Sequence, residues 1–408
     1  MNRDISNYDD FLGEIFKKAI EGPKIFRNKS VLFHDYIPKN LPFRENEIRK
    51  IAHLLSNLLK GYRSSNLFVY GKPGTGKTAV VKFVLNKFLT IAEEYNKSIN
   101  YTYVNCRLAG TEYRIITNMA KDIGLNLPFT GLSSEEALNR VVNKVIADGR
   151  PFLIVLDEID SLITRYGDKL LYTLTRFTTE KTSIPYMIIG ISNNLTFKEY
   201  MDPRVLSSLS EDELVFKPYT PEELETIIRD RVPLAFYPDV VEDEAIRLAA
   251  ALSGAEHGDA RKALDLIRVA GEIAEIAGEN KVDSNHVKKA YSSIDRERIV
   301  DAVSSLPLHS RIILASLLYM SQSGYDSVKS SMLYNKYIEF SRRIAGSPLS
   351  YRRFLGLVTE LGILGLVNKR LENYGRRGGR ISLVKFSVPL DLIKKALEED
   401  PIIGELFK

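Results

Sequence analysis

Cysteine is almost absent from this chain: its 408 residues include a single one, Cys106. One cysteine excludes an internal disulfide and any zinc site built from several cysteines. Cys106 directly follows the apolar segment 101–105, so we expect a structural thiol at the end of a strand in a reducing compartment.

Long hydrophobic runs are also missing. The first ten residues are polar and acidic, without the apolar stretch of a secretory signal, and no segment approaches the roughly 20 apolar residues of a membrane-spanning helix. Internal repeats and low-complexity tracts are absent as well. These absences predict a cytoplasmic globular protein, and 44% hydrophobic residues suffice for the cores of two or three domains.

Net charge is small, at +5, but it is unevenly distributed. Residues 336–385 contain 11 Lys and Arg against 3 Asp and Glu, whereas the rest of the chain is slightly acidic. A local positive field of this kind favours a polyanionic partner for the C-terminal part of the chain.

The most informative motif is a glycine-rich loop between a predicted strand at 67–70 and a helical pattern at 79–89. Glycines let the backbone curl around a phosphate, with N–H groups directed inward at the positive end of the helix. This spacing predicts ATP or GTP binding, with Lys77 on the β- and γ-phosphates and Thr78 on Mg²⁺. The predicted nucleotide-binding residues of this loop are Gly71, Lys72, Pro73, Gly74, Thr75, Gly76, Lys77, Thr78 and Ala79.

A second strand pattern, 152–156, ends in Asp157 and Glu158, which is typical of a Walker B element. We expect Asp157 to bind Mg²⁺ through water and Glu158 to polarise the attacking water, because phosphoryl transfer needs a metal and an oriented nucleophile. A solvated strand end is the alternative for these carboxylates taken alone.

Three further polar residues are candidates for the same reaction. Asn193 or its neighbour Asn194 follows the strand pattern 186–191 and is suited to hold the attacking water, although either amide could simply cap the next helix. Arg204 begins a helix after a proline, where a surface ion pair or an arginine finger for a neighbouring subunit are both open. Arg261 lies near the start of a helix from which it can fold over the nucleotide.

Hydrophobic periodicity divides the chain into three regions. Residues 1–218 alternate strands and helices, as in a parallel α/β sheet flanked by helices, with strands at 67–70, 101–105, 152–156, 186–191 and 214–216. Residues 219–294 predict a small helical domain with helices at 222–231, 243–253, 260–277 and 284–293. The third region, residues 295–408, begins with a charged connector at 295–298. It predicts helices at 307–321, 330–345 and 348–361 and strands at 366–371 and 381–388.

The helix at 348–361 has an apolar back and a basic front. Phe354, Leu357, Val358 and Leu361 share one face, whereas Ser350, Arg352 and Arg353 lie on the other near its N-terminus, as in the second helix of a helix-turn-helix. The hairpin that follows has the tip residues Arg376, Arg377, Gly378, Gly379 and Arg380, which suit phosphates or a narrow minor groove. We predict a winged helix that binds DNA; a solvated basic face or a protein-binding winged helix is the alternative.

The order GKPGTGKT, LDEID, GISNN, DPRV and GDARKAL resembles that of AAA+ ATPases, and the whole pattern is similar to the archaeal replication initiators related to the origin recognition complex and to the helicase loader of the cell division cycle. The resemblance covers nearly the whole chain. It implies a P-loop AAA+ domain, a helical lid and a C-terminal winged helix, with ATP or ADP and Mg²⁺ as cofactors. It places Pro38 and Arg44 around adenine and ribose, and it assigns sensor 1 to Asn193 or its neighbour, the arginine finger to Arg204 and sensor 2 to Arg261. An acidic residue is usual in the family where Asn194 stands.

The resemblance also implies an inserted element that contacts DNA, here Phe129, Thr130, Gly131 and Leu132. A plain surface loop that caps a helix at Ser133 is equally compatible with these residues. By this resemblance the chain is an ATP-controlled, nucleoid-associated initiator with slow hydrolysis, which binds duplex origin DNA, gathers with itself or with paralogous subunits, and helps to recruit or load the replicative helicase. The alternatives are a transcription regulator with a fused ATPase and an ATPase motor of DNA repair or transposition.

Overall fold

A computed structural model describes residues 24–128, 130–180, 184–209, 211–373 and 380–407. The chain divides between Val287 and Lys288 into two compact units. The first contains a five-stranded sheet and the second a three-stranded sheet.

Parallel strands form the sheet of the first unit. The strands are β1 (Asn66–Gly71), β2 (Asn100–Asn105), β3 (Phe152–Asp157), β4 (Tyr186–Ser192) and β5 (Glu211–Phe216). Their order in the sheet is β2-β3-β4-β1-β5. The loops that follow β1, β3 and β4 therefore leave neighbouring strands at the same edge of the sheet, which is where open parallel sheets bind ligands.

Helices cover both faces of this sheet. Strands β1, β3 and β4 are buried along their whole length, as expected for parallel strands packed on both faces. Along β3, Ile154 packs into one hydrophobic cluster, whereas Leu153 and Val155 pack into the other. The helices are α1 (Glu45–Leu59), α2 (Lys77–Glu94), α3 (Cys106–Ala109), α4 (Glu112–Asp122), α5 (Ser134–Asp148), α6 (Ile159–Tyr166), α7 (Lys169–Glu180) and α8 (Pro203–Leu209), with 3-10 turns at Lys29–Leu32 and Phe197–Tyr200.

A group of three helices follows β5: α9 (Pro221–Ala235), α10 (Asp243–Glu256) and α11 (Ala260–Ala277). Thr220 and Glu223 form a reciprocal capping box that begins α9, with Pro221 at its first position. The segment before α1 is attached to these helices, because Phe26 pairs with Phe236 in a β-bridge and their ring centroids are 4.8 Å apart. Gly271 of α11 makes room for both rings, since a Cβ there would lie 2.5 Å from Phe26.

The second unit is a helical core beside a small antiparallel sheet. Its elements are α13 (Leu308–Gln322), β6 (Val328–Lys329), α14 (Ser330–Ile344), α15 (Tyr351–Ile363), β7 (Val367–Asn373), β8 (Arg380–Phe386) and α16 (Leu390–Glu398), with a 3-10 turn at Ile403–Leu406, and they follow α12 (Ser284–Ser304), which crosses from the first unit. The sheet order is β6-β8-β7. Helix α13 is buried over most of its length, and α15 contributes the four apolar residues predicted for its back.

All seven predicted strands are present within a few residues of the predicted limits, whereas β6 and α16 were not predicted. One prediction is corrected. The helix expected at 284–293 continues to Ser304, so the charged segment 295–298 is helical rather than a connector. It contains no glycine or proline, and Asp, Glu and Arg are tolerated on an exposed helix face. The domain limits at 218/219 and 294/295 stay predictions.

Within the described ranges, no single helix is long and apolar enough to cross a membrane. The consecutive helices α12 and α13 pass that test only together, and they are bent by 119° at the break between them.

Candidate nucleotide site and recognition helix

The glycine-rich loop at residues 71–76, called the phosphate loop below, joins β1 to α2 as the sequence predicts. Gly74 and Gly76 have φ angles of 73° and 90°, which residues with a Cβ rarely adopt, and Gly76 caps the N-terminus of α2. Lys77 is 4% exposed, and its ammonium donates hydrogen bonds of 2.7 Å to the carbonyl oxygens of Gly71 and Lys72. The loop thus encloses a cation at the start of a helix, which suits an anionic ligand.

Electrostatics at Lys77 also fit a phosphate. Burial and then the nearby charge of Arg261 lower the pKa of Lys77 to about 8, against the opposing effect of Asp157, Asp160 and Asp259. A buried ammonium that its surroundings disfavour gains most from a bound anion.

The two acidic residues lie beside this loop. Asp157 ends β3 and is 5% exposed, and its Oδ2 lies 3.2 Å from the hydroxyl of Thr78. Hydroxyl and carboxylate oxygens are ligands that Mg²⁺ prefers, so the donor set fits a magnesium ion at this point. Glu158 has left-handed backbone angles, φ 52° and ψ 45°, and such conformations in non-glycine residues concentrate at functional sites.

Strand β2 and the helix α3 that follows it supply three residues that sequence reasoning missed. The Tyr103 hydroxyl donates a 2.5 Å hydrogen bond to Asp157, and the Asn105 amide lies 3.4 Å from the Glu158 carboxylate. Arg107, just beyond β2, is 3.7 Å from the other oxygen of Glu158. The pairing of β2 with β3, which sets Asn105 opposite Asp157, is the signal from which these contacts follow.

A cavity of about 410 Å³ opens beside the loop. Its size falls within the range of small-molecule sites. The segment 32–42 lines one side, the phosphate loop and α2 another, and the helices after β5 the third. The predicted nucleotide residues on its wall are Pro38, Gly74, Gly76, Thr78, Ala79 and Arg261. Lys82 and Arg231, which were not predicted, also line it.

Arg44 is placed elsewhere than the sequence suggested. It is 4% exposed and does not line the cavity. Its guanidinium donates to the carbonyl oxygens of Thr75 at 3.2 Å and Lys217 at 2.8 Å, and it stacks on the ring of Tyr219 at 3.9 Å. Arg44 therefore supports the phosphate loop and the segment before α9 from behind, because its planar fork can bond two carbonyls at once.

Asn193 and Asn194 follow β4, which lies between β3 and β1. The side-chain oxygen of Asn194 accepts a hydrogen bond from the backbone N–H of Thr196 at 2.9 Å, so this amide caps the next turn. Asn193 is exposed, and its backbone N–H points to Asp160 at 3.4 Å. Of the two amides, Asn193 is the one that the capping role leaves available.

The two arginines proposed for catalysis differ in position. Arg261 lies on the cavity wall near the start of α11, and the adjoining Asp259 caps that helix. Arg204 is the second residue of α8, is exposed and is not part of the cavity. An exposed arginine away from the cavity of its own subunit is compatible with action on a neighbour, and equally with a surface role.

In the second unit, α15 has the predicted amphipathic form. Phe354 and its three apolar companions are buried, whereas Arg352 and Arg353 are exposed, and the Ser350 hydroxyl caps the helix by accepting from the Arg353 N–H at 3.5 Å. The turn before α15 is fixed by α14: the Tyr334 hydroxyl donates to the carbonyl of Leu349 at 2.8 Å, and the Tyr337 hydroxyl accepts from the Leu349 N–H at 3.1 Å.

Some predicted DNA contacts fall outside the part of the chain that the structure describes. Phe129, Arg376, Arg377, Gly378 and Gly379 lie outside the described residues, as does the side chain of Arg380 at the start of β8. The rest of the predicted insert, Thr130, Gly131 and Leu132, lies in the loop before α5. That helix begins with Ser133 as its cap, as the surface-loop alternative also requires.

Known protein families match both the part of the chain that holds the candidate nucleotide site and the part that contains α15. Family models match residues 60–196 (AAA domain), 225–292 (Cdc6 AAA+ ATPase-type lid domain) and 301–396 (CDC6, C terminal winged helix domain). The chain is 42% identical to the ORC1-type DNA replication protein of Pyrococcus furiosus, over 97% of this chain and 95% of that protein. It belongs to the ORC1-type DNA replication proteins.

Other ORC1-type relatives are equally similar. The ORC1-type DNA replication protein 1 of Sulfurisphaera tokodaii is 42% identical over 95% of this chain and 97% of that protein. The solved structure of the Aeropyrum pernix ORC1 protein in complex with DNA is 40% identical, with a TM-score of 0.83 over 94% of this chain and 99% of that one. The predicted AAA+ fold, helical lid and C-terminal winged helix are therefore confirmed.

Proposed function

We propose that this ORC1-type protein is an ATP-dependent initiator of DNA replication, which binds duplex origin DNA and helps to recruit or load the replicative helicase. The observation that carries the proposal is the presence, in one chain, of a nucleotide site with both Walker carboxylates and of a helix with an exposed basic front in a winged-helix fold. Full-length similarity to ORC1-type replication proteins supports the same combination.

In the nucleotide site, Thr78 and Asp157 would hold Mg²⁺, which neutralises charge on the phosphate oxygens when bound. Lys77 contacts the phosphates, Glu158 polarises the attacking water and Asn193 orients it. Arg261 approaches from the lid side of the same cavity, which supports its role as sensor 2. Arg204 acts on the nucleotide of a neighbouring subunit, and its exposure supports that assignment.

Hydrolysis is slow in this proposal and serves as a switch. The support is the environment of Glu158, whose two carboxylate oxygens face the Asn105 amide and the Arg107 guanidinium. Donors that face both oxygens compete with an attacking water for the carboxylate. In this proposal, the rate of ATP hydrolysis stays low until the contacts of Glu158 with Asn105 and Arg107 are broken.

Duplex DNA is bound by α15, by the hairpin between β7 and β8, and by the insert before α5. Arg352 and Arg353 would face the major groove, and Arg376, Arg377 and Arg380 would contact phosphates or the minor groove. The ORC1 relative solved in complex with DNA supports a DNA partner for this chain. Subunits or paralogues gather on the origin in the nucleoid of the cytoplasm.

Mapping the bound sites in the cell tests the proposal. Immunoprecipitation of this protein across the genome is compared with replication starts located by marker frequency. We expect the peaks to coincide with replication starts and to disappear from the chromosome when Lys77 is replaced by Ala, because nucleotide controls binding in this proposal. Peaks spread over promoters, without enrichment at replication starts, would contradict the initiator function and favour a transcription regulator.

A further inference from the structure

Strand β2 directs alternate side chains towards α2 and the end of β3. Tyr101, Tyr103 and Asn105 are the half-buried members of the strand, with fully buried residues between them. Tyr103 and Asn105 are two positions apart on the same face of β2, so both reach the acidic residues at the end of the adjacent strand β3, Asp157 and the Glu158 that follows it. Asn105 lies beside Glu158, whereas Tyr103 contacts Asp157.

Three donors surround the Asp157 carboxylate, one from β2, one from α2 and one from the backbone of the next residue. Oδ2 accepts from the Tyr103 hydroxyl of β2 at 2.5 Å and lies 3.2 Å from the Thr78 hydroxyl of α2. Oδ1 accepts from the backbone N–H of Glu158 at 2.9 Å. Because each oxygen has a donor, the carboxylate is held against rotation, and its face towards Thr78 stays constant.

We propose that Tyr103 is a positioning residue for the divalent cation that accompanies the nucleotide: its hydroxyl holds Asp157 in the orientation that serves the metal beside Thr78. The inference rests on the proposed nucleotide-binding function and adds a residue to that site. Hydrogen bonds to a metal-binding carboxylate fix its direction, and their loss typically weakens metal affinity about 10- to 100-fold.

The geometry separates this role from simple packing. The Tyr103 ring packs against the hydrophobic cluster of α2, and the ammonium of Lys82 lies 4.8 Å from its centroid. Both contacts belong to the ring and need no hydroxyl. Replacing Tyr103 by Phe therefore removes the bond to Asp157 and leaves the ring under Lys82.

Tyr101→Phe provides a matched control. Tyr101 occupies the same face of β2 two residues earlier and packs against the same cluster, but it does not contact Asp157. Both variants lose one tyrosine hydroxyl from one strand, so a difference between them reports the bond to Asp157.

The experiment measures ATP affinity by calorimetry in Mg²⁺ and in EDTA. For Tyr103→Phe we expect affinity in Mg²⁺ to fall about tenfold and affinity in EDTA to change less than about twofold. Tyr101→Phe should match the wild type in both conditions, and thermal unfolding without nucleotide should show that both variants fold. The same Mg²⁺ dependence in Tyr103→Phe as in the wild type would overturn the inference, as would an equal loss in EDTA.

A double variant decides whether the hydroxyl acts through Asp157. In an Asp157→Asn background, Tyr103→Phe should cause no further loss of Mg²⁺-dependent affinity, because the carboxylate that it positions is gone. A further tenfold loss would contradict the inference. Failure of the wild-type protein to bind ATP at all would instead overturn the proposed function, and this inference with it.

Discussion

Lys77 is a buried cation whose hydrogen bonds go to two backbone carbonyls, those of Gly71 and Lys72. Burial and Arg261 lower its pKa to about 8, from a usual 10.5. Without a ligand, the unfolded chain holds this proton more tightly than the folded protein does. The free energy of unfolding should therefore rise as the pH increases from about 8 to 10.5. A phosphate beside the ammonium reverses that preference and favours the charged form.

Nucleotide affinity should therefore depend on pH through Lys77. Below about pH 8 the ammonium is already charged, and its titration does not affect binding. Above pH 8 the complex must take up a proton, so affinity for ADP in EDTA should fall with rising pH, by up to about tenfold per unit. Calorimetry in buffers of different ionisation enthalpy measures both the affinity and the proton uptake.

Lys87→Met is the control for this pH effect, because Lys87 lies on the same helix α2 as Lys77 but is exposed and does not line the cavity. The variant should keep the slope and the proton uptake of the wild type. A flat affinity between about pH 8 and pH 9.5, without proton uptake, would show that the Lys77 ammonium does not contact the phosphates.

At the scale of elements, the segment before α1 is joined to both the phosphate loop and the region of the lid. Arg44 bonds the carbonyls of Thr75 in the loop and of Lys217 just after β5. Tyr219 stacks on Arg44, and its backbone N–H donates to the carbonyl oxygen of Gly258 at 3.2 Å. The backbone N–H of Ala260 in turn donates to the carbonyl oxygen of Gly74 in the phosphate loop. A closed path of contacts thus connects the loop with the N-terminus of α11.

Replacing Arg44 by Lys should loosen this path, since an ammonium on a shorter chain cannot serve both carbonyls. We expect the free energy of unfolding to fall by about 2 kcal/mol, because a buried acceptor is left unsatisfied, and ADP affinity to fall several-fold. Chemical denaturation and calorimetry measure the two effects. Lys50→Gln removes a surface cation of α1 that bonds the Glu213 carbonyl, and it should change stability by less than about 0.5 kcal/mol.

Tyr219→Leu distinguishes a connected path from separate contacts. Its effect on ADP affinity should be smaller in the Arg44→Lys background than in the wild type, because the two side chains act through each other. Fully additive effects would contradict the coupling.

The same elements show what a sequence can predict. An apolar run followed by two carboxylates predicts the strand at residues 152–157, and the glycine spacing predicts the phosphate loop. Arg44 could not be placed in this way, because its partners lie 31 and 173 residues away and are backbone carbonyls without a sequence signature. Tyr103 was missed for a related reason, since a tyrosine in a strand is normally core, and only the pairing of β2 with β3 brings it to Asp157.

At the scale of the whole molecule, the basic residues are concentrated in the part of the chain that contains α15. Residues 336–385 contain 11 Lys and Arg against 3 Asp and Glu, and Arg352 and Arg353 are exposed at the start of α15. Charge of this kind acts on DNA by releasing counterions, so its contribution appears as a dependence of affinity on salt.

Replacing Arg352 and Arg353 by Ala should weaken binding to origin duplex roughly 10- to 100-fold and should reduce the slope of log affinity against log salt by up to about 2, because two cations leave the interface. The matched control is Lys394→Ala with Lys395→Ala, which removes two exposed cations from α16 of the same unit, where they face Glu398 and Glu399. Fluorescence anisotropy over a salt series measures both pairs. An equal loss in both would mean that net charge alone drives binding, and an unchanged slope in the Arg352 and Arg353 variant would show that α15 does not face the DNA.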